Sequence, residues 1–186
     1  MNRAAVLFTT LALIAAPALA SSATVAAGGS HTVVIKTTDG TVWAWGANES
    51  GQLGDGNTVE GGTPIQVGGL SGIAAVAAGA RHTLALKSDG TVWAWGDNEY
   101  GQLGDGASGA DADRATPAQV AGAGFTNIVA IAAGENHSVA LKNDGTVWTW
   151  GRNDHGQLAI GGTTDRTTPS AVVGFCCANQ LMRRRA

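Results

Sequence analysis

Along this chain, apolar and polar positions fall into short alternating runs separated by glycine-rich punctuation. Between residues 71 and 122 the runs are Ile73 to Ala78, His82 to Lys87, Val92 to Trp95 and, after a long polar loop, Ala118 to Val120. A period of two is the period of a strand, and Asp89-Gly90 between two such runs is a hairpin turn, because Asp and Gly tolerate positive φ. On this period His82, Leu84 and Leu86 share one face, with Thr83 and Ala85 on the other. Trp93 and Trp95 lie opposite Val92 and Ala94. One face is bulky, the other small, and both are largely apolar. That suits a sheet buried on both sides between copies of itself. Nothing from residue 21 onward shows a helical period, so the fold class expected is all-β.

The copies are present. "VAAGGSHTVVIKTTDGTVWAWG", "VAAGARHTLALKSDGTVWAWG" and "IAAGENHSVALKNDGTVWTWG" align on His31, His82 and His137, a spacing of 51 and then 55 residues. Length differences are confined to Gly-, Asp- and Thr-rich segments, which surface loops permit and packed strands do not. Four-stranded units of about fifty residues, repeated and buried on both faces, are the blades of a β-propeller. The units are expected at about 24–70, 71–122 and 123–175, followed by a non-repeat tail at 176–186. The Ala-Ala-Gly strand of each is expected at the crowded inner edge.

The phrases "AAG-x-x-H-[ST]" and "DG-x-V-W-x-WG-x-N-x-x-GQL" resemble the regulator of chromosome condensation (RCC1) repeat, three times between about Thr24 and Phe175. The resemblance implies a propeller that binds other proteins. Members of the family have seven blades, its founder exchanges guanine nucleotide on a small GTPase, and some bacterial relatives are secreted. Three repeats are too few to close a ring. The third also drifts, with "GQLAIGG" at 156–162 in place of "GQLGDG". An open arc leaves an apolar blade face at each end. The chain is therefore either a piece of a longer propeller or an arc that a second copy completes as a homodimer of six blades.

Composition narrows the function. "MNRAAVLFTTLALIAAPALA" has one early positive charge, a short apolar core and the ending Ala18-Leu19-Ala20, so residues 1–20 read as a signal peptide cleaved after Ala20. A secreted or periplasmic chain with no membrane span in its mature form is expected. Eleven Lys and Arg, one of them in the leader, stand against fourteen Asp and Glu. Nucleic acid is not an expected partner, because its affinity rests on clustered cations. Cys176-Cys177 is the only cysteine pair and falls in the tail.

Catalytic chemistry finds no motif, and no cofactor or metal is called for. His31, His82 and His137 fall one per blade, which points to a hydrogen bond within each blade rather than to ligands around one ion. Asp55 and Asp105 read as turn residues, Asn48, Asn98 and Asn153 as loop caps, and Gly51, Gly101 and Gly156 as turn glycines. The tryptophan pairs 43/45, 93/95 and 148/150 read as core between blades. If the repeated letters are scaffold, recognition belongs where the copies disagree in loops. After "WG-x-N" those positions are Glu49-Ser50, Glu99-Tyr100 and Asp154-His155. Before the marker histidine they are Gly29-Ser30, Ala80-Arg81 and Glu135-Asn136. The longest loop adds Asp111, Asp113 and Arg114. Tyr100, the single tyrosine, is the leading anchor. The expected function is a secreted, non-enzymatic protein-binding module using these rim loops. The alternatives are a carbohydrate-binding module, which needs exposed tryptophan, and nucleotide exchange of the founder's kind.

Overall fold

The computed structural model describes residues 24–176, and these form twelve strands and no helix. The first blade holds β1 (Val25–Ala27), β2 (His31–Lys36), β3 (Thr41–Gly46) and β4 (Gly61–Gln66). The second holds β5 (Ile73–Ala78), β6 (His82–Lys87), β7 (Val92–Gly96) and β8 (Arg114–Gln119). The third holds β9 (Ile128–Ala133), β10 (His137–Lys142), β11 (Thr146–Gly151) and β12 (Arg166–Cys176). Each blade is one antiparallel meander in chain order, and the third sheet does not close onto the first by strand pairing. The architecture is an open arc of three propeller blades.

Three of the four strands in the second blade begin where alternation places them. The fourth was expected at Ala118 to Val120 and instead runs from Arg114 to Gln119. The reason is Pro117. An outer strand pairs on one side only, so a proline without an N–H is tolerated at its free edge. Pro64 in β4 and Pro169 in β12 occupy the same outer strand.

Cross-strand register puts Thr83 beside Trp95 and Ala85 beside Trp93. One face of each sheet is thus Thr/Ser, an alanine (Val34 in the first blade) and two tryptophans. The other is His with Leu, Val or Ile. The large face of one blade meets the tryptophan face of the next. Val33, Ile35, Val42 and Leu53 of the first blade pack with Val76, Ala85 and Trp95 of the second. Leu84, Leu86, Val92 and Leu103 repeat the arrangement against Ala140 and Trp150 of the third. Burying apolar side chains in this way is worth about 1.5–3 kcal/mol each.

The first strands β1, β5 and β9 converge on one another, as the inner edge requires. Gly28 shows why glycine is needed there. A Cβ on it would lie 2.5 Å from the Gly79 carbonyl oxygen and collide with the His31 ring. Gly79 repeats this approach against Gly134 at 2.6 Å. The Gly29 and Ala80 amides donate across the gap to the Gly79 and Glu135 carbonyls, at 3.1 and 2.9 Å.

Tryptophan burial divides within the second and third pairs, so only one member of each lies wholly in the core expected for all of them. Trp95 and Trp150 are wholly buried at 0% exposure. Trp43, Trp93 and Trp148 are half-buried, each with a lysine ammonium 5.3–5.8 Å from its ring centroid: Lys36, Lys87 and Lys142 respectively. Trp45 is only half-buried, as no blade among the described residues packs on its face.

Candidate functional site

Two structures coexist at one rim: a fixed latch that joins blades and a variable loop surface built on it. The latch begins at Gln52. Its backbone carbonyl accepts the Trp95 indole N–H at 2.9 Å and the Thr83 hydroxyl at 2.9 Å, both from the following blade. Thr83 has one proton and gives it to Gln52. Its oxygen therefore accepts from His31, whose Nε2 lies 2.9 Å away. The next interface repeats every member. The Gln102 carbonyl receives Trp150 at 2.8 Å and Ser138 at 2.8 Å, and His82 Nε2 reaches Ser138 at 3.1 Å.

These histidines were expected to bond within their own blades. They bond instead to the next blade, because a marker side chain at the start of the second strand faces its neighbour. Nε2 is the protonated nitrogen, and Nδ1 of both His31 and His82 is buried without a partner. Burial disfavours the charged ring and lowers His31 from 6.5 to about 4. His82, completely enclosed, falls to about 3, with some help from repulsion by His31 and His137. Burial also lowers His137. Among the described residues no group of three or more His, Cys, Asp or Glu is placed to hold a metal ion.

The loop surface hangs on the same glutamine. The Gln52, Gln102 and Gln157 side-chain oxygens accept the backbone amides of Ser50, Tyr100 and His155, each at 2.9 Å. Asn48, Asn98 and Asn153 cap the loops as expected. Their Oδ1 atoms accept the Leu53, Leu103 and Leu158 amides, and their Nδ2 groups donate to loop carbonyls further on. Asp55 and Asp105 are turn acceptors within the same loops. Gly51, Gly101 and Gly156 adopt φ between 74° and 82°.

Most of the loop positions singled out by disagreement between copies line three rim grooves. Ser50, Arg81, Glu99 and Asp113 line one of about 260 Å³, together with Asp97 and Ala110. Arg81 also faces Glu49 at 3.9 Å. Asp113 accepts the Asn98 amide, and burial beside Asp97 raises its carboxyl above the usual value. Glu135, Asn136, Asp154 and His155 line the second groove, about 240 Å³, with His137, Arg152 and Gln157. Tyr100 joins this group through Arg152, whose guanidinium lies 5.0 Å from the tyrosine ring. Arg152 in turn pairs with Asp154, and Asp154 with His155 Nδ1 at 2.8 Å. Gly29, Ser30, Ala80 and Glu49 line a third groove of about 320 Å³, with Ala47, Gln52 and Arg81. Two predicted residues stand apart from the grooves. Arg114 turns to Asp105 at 2.6 Å, and Asp111 is exposed outside all three.

Arg152 and Asp97 were missed. Both occupy the x of "WG-x-N", where the copies read Ala47, Asp97 and Arg152, so the comparison between copies already contained the signal. Gln52, Gln102 and Gln157 were missed for the opposite reason: they repeat without change.

Blades of this kind, stacked through a His–Thr/Ser–carbonyl–Trp latch and presenting variable loops at a rim, make the chain a propeller-repeat protein. The RCC1 repeat model, described as regulator of chromosome condensation repeat, matches residues 39–86, 89–141 and 144–177. The chain belongs to the RCC1 repeat family. It is 35% identical over 151 residues to the ultraviolet-B receptor UVR8 of Arabidopsis thaliana, covering 81% of this chain and 34% of that protein. It is 40% identical over 145 residues to the RCC2 homolog of Danio rerio, covering 78% of this chain and 18% of the relative. Among solved structures, Prp20p of Saccharomyces cerevisiae superposes with a TM-score of 0.70 at 27% identity, covering 81% of this chain and 38% of that one. That protein's structure is described together with its binding to Gsp1p and histones. The chain spans about a third or less of the length of these curated relatives.

Proposed function

We propose that this chain is a non-enzymatic module that binds a protein partner through the rim loops, acting after export by the leader at residues 1–20. The carrying observation is that loop residues chosen for their disagreement line rim grooves, on loops that the repeated Asn and Gln side chains hold in place. The first groove gathers Asp97, Glu99 and Asp113 around one cation, Arg81, and favours a partner carrying basic side chains. The second groove offers an anchor of the kind hot spots use, Tyr100 stacked on Arg152. The mildly acidic balance supports a protein partner over nucleic acid. A second copy of the chain is a further partner under this proposal, since two three-blade arcs supply six blades.

The test is capture of exported proteins on the immobilised chain, compared with the Tyr100→Ala and Arg152→Ala variants. A specifically retained protein lost in both variants, with unfolding midpoints unchanged, is the expected result. Equal retention by the unaltered chain and both variants removes the rim from the mechanism.

A further inference from the structure

Among the described residues each inner interface closes a complete latch, and each end of the arc they form exposes one half of one. The leading face, on the first blade, carries Thr32 and Trp45, the counterparts of Thr83 and Trp95, and both are half-exposed with no preceding carbonyl. The trailing face, on the third blade, carries His137 and Gln157. Both are more exposed than His82 and Gln102, and His137 has no following hydroxyl. Around them Val139 and Leu141 are only half-buried, whereas Val33, Ile35, Leu84 and Leu86 are buried at the same positions.

We propose that the leading face of one copy docks on the trailing face of a second, with Thr32 and Trp45 donating to the Gln157 carbonyl and His137 donating to Thr32. This rests on the reading of a second copy as partner and supplies its contacts. Repetition of the two inner interfaces is what selects the occupant, because each end offers the groups that the opposite end lacks. Joined at both ends, two copies form a closed ring of six blades, and no apolar face remains open.

The ends are not perfect copies of the inner junctions, and the differences set the strength of the contact. Gly54 and Gly104 leave room for the next tryptophan: a Cβ there would lie 2.7 and 2.8 Å from the Trp95 and Trp150 indole nitrogens. The third blade has Ala159 at this position, at φ 52°. Val34 replaces the alanine of Ala85 and Ala140, and Thr149 replaces that of Ala44 and Ala94. Added bulk in a close-packed contact weakens it. The junction between copies is therefore looser than the inner ones and forms reversibly, with Ala159 its principal obstacle.

Sedimentation velocity over a range of concentrations tests this. The unaltered chain should pass reversibly from monomer to dimer, and Ala159→Gly should lower Kd about tenfold or more while also relieving the positive φ. Val34→Arg on the leading face and Val139→Arg on the trailing face should each be monomeric alone yet associate when mixed, since each retains the half the other has lost. Circular dichroism confirms that both remain folded, and Ala159→Gly keeps the test decisive if either does not. A monomer at every concentration overturns the proposal and the second-copy reading together, even if Ala159→Gly alone dimerises. A dimer indifferent to Ala159→Gly overturns the docking mode while sparing the second copy. Binding of a different protein at the rim is untouched by either outcome.

Discussion

Lowering the pH from 7 to 5 should destabilise this fold through the latch histidines, well before its carboxylates protonate. In the folded chain His31 and His82 titrate at about 4 and about 3, against 6.5 for a free ring. Their depressed values mean that the folded state holds neutral rings while the unfolded chain takes up protons from pH 6.5 downward. Stability is present above that value and is lost as pH falls from 6.5 toward 4 and then 3. One pH unit of such a mismatch is about 1.4 kcal/mol per group. At pH 5 the loss is about 2 kcal/mol for each of the two, or about 4 kcal/mol together, and His137 adds in the same direction. Asp39, Asp89, Asp105 and Asp144 are held below 3.8 and weaken the fold only in more acid solution. Asp113, raised by burial, works against the trend. Urea unfolding followed by tryptophan fluorescence at pH 7, 6 and 5 measures the effect. A His82→Gln variant, which keeps a donor near Nε2 without a titrating ring, should be weaker at pH 7 and show a shallower slope. Equal stability at pH 5 and 7, or an undiminished slope in His82→Gln, would refute the assignment.

Other consequences are more local. Thr83→Val removes the hydroxyl that links His31 to the Gln52 carbonyl and should cost about 1–3 kcal/mol in urea unfolding, because a buried donor is left unpaired. Trp95→Phe should cost at least as much, and Trp45→Phe clearly less at concentrations where the chain is monomeric, since the latter indole donates to no carbonyl within the arc. Gly79→Ala should lower the unfolding midpoint sharply, as its Cβ would meet the Gly134 carbonyl oxygen at 2.6 Å. In acrylamide quenching of the folded chain, replacing Trp95 or Trp150 should remove a protected component of the emission, while replacing Trp45 should remove an accessible one.

The fold was legible because its signals are local and repeated three times. A period of two, Asp-Gly turns and a bulky face opposite a small one define four-stranded sheets stacked on each other without knowledge of any contact. What stayed illegible was direction across the gap. His31 was assigned to its own blade because sequence shows that a side chain faces a neighbour, not which atom waits there. The partner, Thr83, is 52 residues away. Trp93 and Trp95 look alike in the sequence, yet the first is half-buried and the second wholly buried, because burial depends on depth within the sheet. Loop composition likewise concealed the outer strand at Arg114, since pairing on one edge tolerates the Thr-Pro that reads as a turn.

Scaffold and rim also prove to be mechanically one object. Gln52 carries the next blade's tryptophan on its backbone carbonyl and the Ser50 amide on its side chain. Gln102 does the same for Trp150 and Tyr100. A variable residue is thus placed by a fixed one that is itself pinned by blade stacking, so the rim can change its chemistry without changing its shape. It follows that Gln102→Ala should disturb the Tyr100–Arg152 stack, although the Gln102 side chain bonds the Tyr100 backbone amide and not the stack itself. The backbone carbonyl survives that substitution, so the latch to Trp150 persists, while the Tyr100 amide loses its acceptor. Tyrosine fluorescence anisotropy should then fall toward that of a free loop while the unfolding midpoint shifts only modestly. A rigid Tyr100 in that variant would mean that the Arg152 stack, and not the glutamine, holds the rim in place.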